Sequence, residues 1–423
     1  MTIKEVKAIE VLDSRGIPTV RVDLKTNKGT FTAITPSGTS SGKYEAFELR
    51  DNNPLRYFGK GVRKAVSNIN KIIAPELKNQ QLNQKQIDEL LIELDGTHNK
   101  SDLGANAILP VSIAVCRAKA KHNNIPLYKH IQKLSKTKTL TLPIPQLLVL
   151  EGGKHASNSS DFQEFMISIK AKTFQESLEK STLVYKLIRR ILHLNDHPIN
   201  VGMEGAFPSP FKDNEKPFIL IEQAAIQAKQ KPNLKIAIDA AASEFYKKNL
   251  YNLKSEKKHL TFQKLSTYYH HLTTNYPIYS IEDPFDQDDW AAWKAFTKQS
   301  KKTKKQKLNI VADDLLTTNP TRIKQAIQRK ACNALLVKPN QIGTITETLQ
   351  AIGLAKKAKW DIIISHRSGD SSDPFIADLA VGTAARFIKT GAPSRSERLA
   401  KYNRLLEIEQ ELGKKAVFQG KDF

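Results

Sequence analysis

Cysteine is nearly absent: the chain of 423 residues has two, Cys116 and Cys332, each inside an apolar run (SIAVCRA and ACNALLV). That excludes a disulfide-built scaffold and fits two small buried thiols in a reducing compartment. Long hydrophobic runs are missing too. The most apolar stretch, Leu140 to Leu150, is broken by Pro143, Pro145 and Gln146 and falls short of the roughly 20 apolar residues that a membrane span requires. Residues 1–15 mix charges with Ile, Val and Leu, unlike the unbroken apolar core of a secretory signal. A cytoplasmic protein with no membrane span is expected. Gly and Pro number only 19 each and hydrophobic residues make up 40%, which excludes fibrous repeats and wholesale disorder. Negative charge is the last shortage: 43 acidic residues stand against 66 basic ones, a formal +23. Such an excess steers a molecule toward nucleic acid or an acidic surface. Here it is spread over short lysine runs without interleaved aromatics, as in Lys301, Lys302, Lys304, Lys305 and Lys307, so a solvated, lysine-rich surface is the favoured reading.

What is present is organised in two parts. From Ile3 to Phe31, short β-prone runs (IEVLDS, PTVRVDL, GTFTAI) separated by Gly and Asn turns read as an antiparallel meander. Helical spacing of apolar residues follows near Val62 to Ile73, Gln84 to Leu94 and Leu103 to Lys121, so residues 1–134 form a smaller N-terminal α+β domain. Pro110 is expected to kink the third helix or delay its start. Residues 135–423 alternate short apolar runs (EFMISI, LKIAID, PIYSIED, LNIVADD, NALLVK, DIIISH) with amphipathic stretches such as Thr321 to Ile327 and Ile345 to Lys356. That is the pattern of a parallel α/β barrel. An open doubly wound sheet would produce the same alternation. The barrel is favoured because ionisable residues recur at the ends of several strands, where barrel active sites are built.

Those strand-end residues are Glu164, Asp239, Glu282, Asp313, Lys338, His366 and Lys389. Asp239, Glu282 and Asp313 on successive strands would converge, and three carboxylates together need protons or a cation. The donor set is all oxygen, with no Cys or His pair at zinc spacing, which points to a hard divalent ion, Mg²⁺. Lys338, ending the apolar run ALLVK, is expected to have a pKa lowered by burial and nearby cations and to act as a base. Neutralising the acids is its alternative role.

Read together, IEDPFDQDDW, VADDLLTTNP, NQIGTITETLQA, SHRSGDSSDPFIADLAVG and IKTGAPSRSERLAKYN resemble the enolase family, as do VLDSRGIPTV, PSGTSSGKYEAFELRD, LGANAIL, HASNSSDFQEFMI and DAAASEFY. The resemblance runs nearly end to end. It implies a C-terminal (β/α)8-type enolase barrel and removal of water from 2-phosphoglycerate to form phosphoenolpyruvate. By resemblance, Asp239, Glu282 and Asp313 bind one Mg²⁺, and Ser40 in the loop PSGTSSG binds a second when substrate is present. Lys338 matches the general base and Glu204 the general acid, with Glu164 its neighbouring carboxylate. Lys389 and the two ions stabilise the enediolate that results, an electrostatic device common to enolase-superfamily sites. Arg367 and Ser368, beside His366, match the phosphate-binding residues, and His155 the histidine of a second mobile loop. The resemblance also implies a homodimer.

Departures cluster around the pocket. The family's NGGSHAG is EGGKHAS here, so Glu151 replaces an amide and Lys154 a serine. In VGMEGAF, Met203 and Ala206 replace Asp and Gly around Glu204, and Pro339 directly follows Lys338, restricting its backbone. A paralogue acting on another phosphorylated or phosphonate enolpyruvate is therefore an alternative function, and a degenerate enolase that binds RNA or another polyanion through its basic surface is a third. Arg21 and Glu407 stand where the family usually has Glu and Arg, so a charge-reversed pair, Arg21 facing Glu407 across subunits, is expected at the dimer interface.

Overall fold

The computed structural model describes residues 2–39, 42–301 and 307–423. Near the N-terminus, β1 (Glu5–Leu12), β2 (Pro18–Thr26) and β3 (Gly29–Ile34) form the expected antiparallel meander. Alternation along β2 buries Val20, Val22 and Leu24 on one face, and a helix must cover that face. The turn between β1 and β2 is held by the Asp13 carboxylate, which accepts the amides of Arg15 and Ile17. Helical segments then occupy residues 63–77, α1 (Gln84–Asp95), α2 (Ala105–His122) and α3 (Leu127–Ser135).

The long helix α2 packs on β2 and β3, and Pro110 sits inside it without delaying its start at Ala105. Proline removes the amide that would bond the carbonyl four residues back. That carbonyl belongs to Asn106 and accepts the Thr35 hydroxyl instead, at 3.4 Å.

Beyond residue 143 eight strands close into a barrel: β4 (Ile144–Glu151), β5 (Glu164–Ile169), β6 (Leu234–Asp239), β7 (Ile278–Glu282), β8 (Asn309–Ala312), β9 (Ala334–Val337), β10 (Asp361–Ser365) and β11 (Phe387–Lys389). Each pairs with the next, and β11 pairs with β4 to complete the ring. One feature departs from the sequence expectation: β5 runs antiparallel to both β4 and β6. The 12 residues after β4 return the chain along the rim without a crossover helix, so β5 enters from the rim instead of the far end. From β6 onward the helices α4 (Phe262–Asn275), α5 (Trp290–Ser300), α6 (Pro320–Arg329), α7 (Ile345–Lys357), α8 (Phe375–Gly382) and α9 (Ser396–Leu412) alternate with strands. Two further helices, over residues 174–194 and 216–227, lie between β5 and β6. Buried on both faces, β4, β7, β8 and β9 are mainly apolar along their whole length for that reason.

The smaller domain is seated on the barrel rim. Ser37 and Gly369 form a two-way backbone bridge, while Asp88 of α1 accepts the Thr346 amide and hydroxyl at the start of α7. Buried Lys100 adds an ion pair to the half-buried Glu347 at 2.9 Å. Cys116 and Cys332 are free and buried, as expected. Among the described residues no helix is long and apolar enough to cross a membrane.

Candidate active site

The antiparallel turn of β5 has a chemical consequence. Glu164 is the first residue of its strand, yet it stands opposite Asp239, the last residue of β6, on the rim where Glu282 closes β7 and Lys389 closes β11. Strand geometry alone thus brings acids from β5, β6 and β7 to one end of the barrel. Lys389, buried, reaches across them: its ammonium lies 2.8 Å from Glu282 Oε2, 3.2 Å from Asp239 Oδ2 and 3.0 Å from Glu164 Oε2. These carboxylates hold the ammonium charged well above the ordinary lysine range against the opposing cost of burial.

A second lysine stands beside them. Lys338 follows β9 in an extended conformation, as the proline after it requires, and its ammonium is 2.5 Å from Asp313 Oδ2. Pro339 opens a single 3₁₀ turn that carries Gln341 back to Asp313 Oδ1 at 2.8 Å. The expected depression of the Lys338 pKa is not found. Burial works to lower it, but the adjacent Asp313 carboxylate outweighs burial and the two nearby cations, and the net direction is upward.

Asp239, Glu282 and Asp313 share the rim without converging on one point. Asp239 and Glu282 turn to Lys389 and Asp313 to Lys338, because a buried carboxylate takes the nearest positive charge. Among the described residues, ligand-type atoms gather within 4.8 Å in two groups, Asp283 with Asp313 and Asp314, and His155 with Glu164 and Glu204. Burial and the neighbouring acids raise Glu282 and Asp283 well above the carboxylate range, and Asp314 to about 7. So much buried carboxylate, all oxygen donors, suits a hard divalent ion. Ser40 lies outside the described residues.

Across the cleft, Glu204 faces two histidines. His366 Nε2 is 3.4 Å from Glu204 Oε2, while Arg398 donates to His366 Nδ1 at 2.6 Å. A guanidinium cannot accept, so Nδ1 is the bare nitrogen and Nε2 carries the proton toward Glu204. Burial pushes His366 down to about 4, keeping the ring neutral. His155 Nδ1 lies 3.9 Å from Glu164 Oε1. Although burial alone raises both carboxyls, the histidines and Arg398 take Glu204 well below the usual range, while burial and the surrounding acids leave Glu164 well above it despite Lys389.

The phosphate candidates close the cleft beside the smaller domain. Arg367 pairs with Glu45 at 2.8 Å, and the Ser368 hydroxyl accepts the Thr39 amide at 2.8 Å. One cleft is lined by His155, Glu164, Glu204, Asp239, Asp313, Lys338, His366, Arg367, Ser368 and Lys389. Family models match end to end: "Enolase, N-terminal domain" over residues 3–131 and "Enolase, C-terminal TIM barrel domain" over residues 139–423. This chain belongs to the enolase family.

Within this enolase-family cleft, several residues escaped the sequence reading. Glu45 anchors Arg367, and Asp283 accepts the amides of Asp313 and Asp314 at 3.0 Å each. Arg398, fully buried, donates to the backbone carbonyls of Met203, Arg367 and Ser368. Gln163, one residue before Glu164, keeps a buried Oε1 without a hydrogen bond. An arginine in an amphipathic helix start or a glutamine just before a strand is unremarkable in sequence; only burial singles them out.

The departures from the family motifs fall into separate places. Lys154 does not meet Glu151. It pairs with Glu244, which lines the cleft, at 2.5 Å, whereas Glu151 is wholly buried. The Met203 sulfur accepts the Thr39 hydroxyl at 3.3 Å, tying the Glu204 turn to the loop of the smaller domain. Arg21 and Glu407 are surface residues, paired within the chain to Asp23 and Arg404 at 3.0 Å each.

Proposed function

We propose that this chain is a carbon–oxygen lyase that interconverts 2-phosphoglycerate and phosphoenolpyruvate. What supports the reading is a pair of lysines among acids, half-buried Lys338 on Asp313 and buried Lys389 on Asp239, Glu282 and Glu164, in a cleft that Arg367 also lines. Two cations among acids can bind a carboxylate, remove a proton beside it and hold the charge that forms.

Lys338 takes the carbon-bound proton after its ammonium has released one to solvent; loosening its contact with Asp313 is what makes it a base. Lys389 faces the developing carboxylate charge. Glu164 and Glu204 act as a unit: one proton is shared between two buried carboxylates, and it is delivered to the departing hydroxide. The neutral His366, with His155 beside Glu164, orients that pair, while Arg367 exchanges Glu45 for the phosphate, a match for its planar fork, with Ser368 beside it. Asp239, Glu282 and Asp313 would hold Mg²⁺, with Ser40 the ligand of a second ion, and the cations would grip the substrate carboxylate, absorb negative charge and compete with Lys338 for Asp313.

The test is direct: formation of phosphoenolpyruvate from 2-phosphoglycerate, followed by its ultraviolet absorbance, with Mg²⁺ and then with excess chelator. Turnover abolished by chelator is expected; none under either condition overturns the reading. A second reading, an enolase-like enzyme for another phosphorylated or phosphonate enolpyruvate, draws on Glu151 and Met203, which surround Glu204. It predicts that 2-phosphoglycerate binds but is not turned over. A homodimer with Arg21 facing Glu407 across subunits belongs to the same reading, and a monomer by light scattering would sink it.

A further inference from the structure

Glu151 closes β4 and is completely buried. Its Oε1 accepts two backbone amides, from Glu204 at 3.2 Å and from Ala206 at 3.3 Å. Its own carbonyl accepts the Ser209 amide at 2.7 Å. The other carboxyl oxygen, Oε2, has no hydrogen bond and is pressed against Gly202, where an added Cβ would come within 1.9 Å of it. One side chain thus grips both ends of the turn 202–206, and the residue in the middle of that turn is Glu204.

We propose that Glu151 is a positioning residue: its carboxyl clasps the turn that carries Glu204 and sets where that carboxylate stands against His366. The proposal rests on the reading of Glu204 as part of the acid pair, and it assigns a task to a side chain that the family's motif does not carry at this position.

A carboxylate accepting two amides would ordinarily be stabilised as the anion. Here burial and the neighbouring Glu204 dominate, the two amides and Arg398 only partly offset them, and Glu151 is pushed up to about 8. The groups that face it are Glu204 and Ala206 on the turn, Arg398 from α9, Tyr185 from the helix over residues 174–194, and Glu164 opposite it on β5. That shift favours the protonated side chain at neutral pH, with Oε1 as the acceptor of both amides. Ionisation at alkaline pH would put an anion beside Glu204 with one oxygen wedged against Gly202, and the clasp would then push on the turn it holds.

The conservative variant separates clasp from charge. Glu151→Gln keeps an acceptor for both amides and cannot ionise; Glu151→Ala removes the clasp. Two readouts are needed, kcat against pH and amide hydrogen exchange of residues 202–206 in the full-length protein, the second of which does not depend on turnover. For Glu151→Ala, kcat falls on the order of 10- to 100-fold with KM little changed, and the turn exchanges faster. Glu151→Gln restores slow exchange and most of kcat, and removes the alkaline fall above about pH 8. Unchanged exchange and pH profile in the alanine variant overturn the proposal, as does a glutamine variant as impaired as alanine in both readouts. If the wild-type protein turns over no 2-phosphoglycerate, the exchange measurement still decides whether the clasp exists, so failure of the activity and failure of the clasp are distinguishable.

Discussion

Two halves of one cleft handle buried charge in opposite ways. On the lysine side, carboxylates of β6, β7 and the loop after β8 meet ammonium groups at 2.5 to 3.2 Å. On the glutamate side, His155 Nδ1, Gln163 Oε1 and one oxygen each of Glu151, Glu164 and Glu204 have no hydrogen bond. Glu164 belongs to both, close to Lys389 at 3.0 Å but poorly aligned with it. A paired network is a settled ground state, whereas a buried polar atom left unpaired costs about 1–3 kcal/mol. The lysine side is therefore built to be disrupted by a competing charge, and the glutamate side to be completed by a ligand.

Removing the lysine at its centre is the hardest test of that contrast. Lys338→Ala is expected to lower kcat by about 10³- to 10⁴-fold with far less change in KM, measured by steady-state kinetics; a loss under about tenfold would break the assignment of the base. Lys389→Met strands three buried carboxylates and should destabilise the fold by about 3–5 kcal/mol, read from urea denaturation in chelator. Added Mg²⁺ should recover part of this, and no recovery would argue against a cation site at Asp239 and Glu282.

The glutamate side predicts a pH effect of intermediate size. The Glu151 carboxyl is raised in the folded chain from 4.5 to about 8, so the folded state binds the extra proton between those values and stability falls as pH rises through that window. Each unit corresponds to about 1.4 kcal/mol as an upper limit. Glu151→Gln removes this slope, so its melting temperature should exceed the wild type's at pH 8 and approach it near pH 4.5. Parallel curves across the range would remove Glu151 from the contrast. Smallest of all, Lys154→Ala breaks a partly exposed pair with Glu244 and should cost at most about 1 kcal/mol, with a change in KM of a few-fold; a larger loss would bring that loop into the cleft's own network.

Much of the cleft was legible along the chain because strand-end residues follow apolar runs with a regular period, and in a barrel all those ends share one rim. Asp239, Glu282, Asp313, Lys338 and Lys389 came from that rule. Arg398 and Glu45 did not, because each lies in an ordinary amphipathic or loop context and acquires its role from burial. The direction of β5 was also illegible: EFMISI carries no mark of whether its neighbours run alongside or against it. Pro110 did not delay the start of its helix; the carbonyl it leaves unbonded is taken up by Thr35, far earlier in the chain and adjacent only after folding.

The sequence by itself determined which chemistry could be assembled: acids, lysines and an arginine at the ends of buried strands, with too little cysteine for a disulfide framework. Only the tertiary structure decided who pairs with whom and who keeps a proton. Charge interactions depend on distance and on exclusion of water, and both are set by contacts such as Lys389 with Asp239, 150 residues apart, that no local pattern encodes.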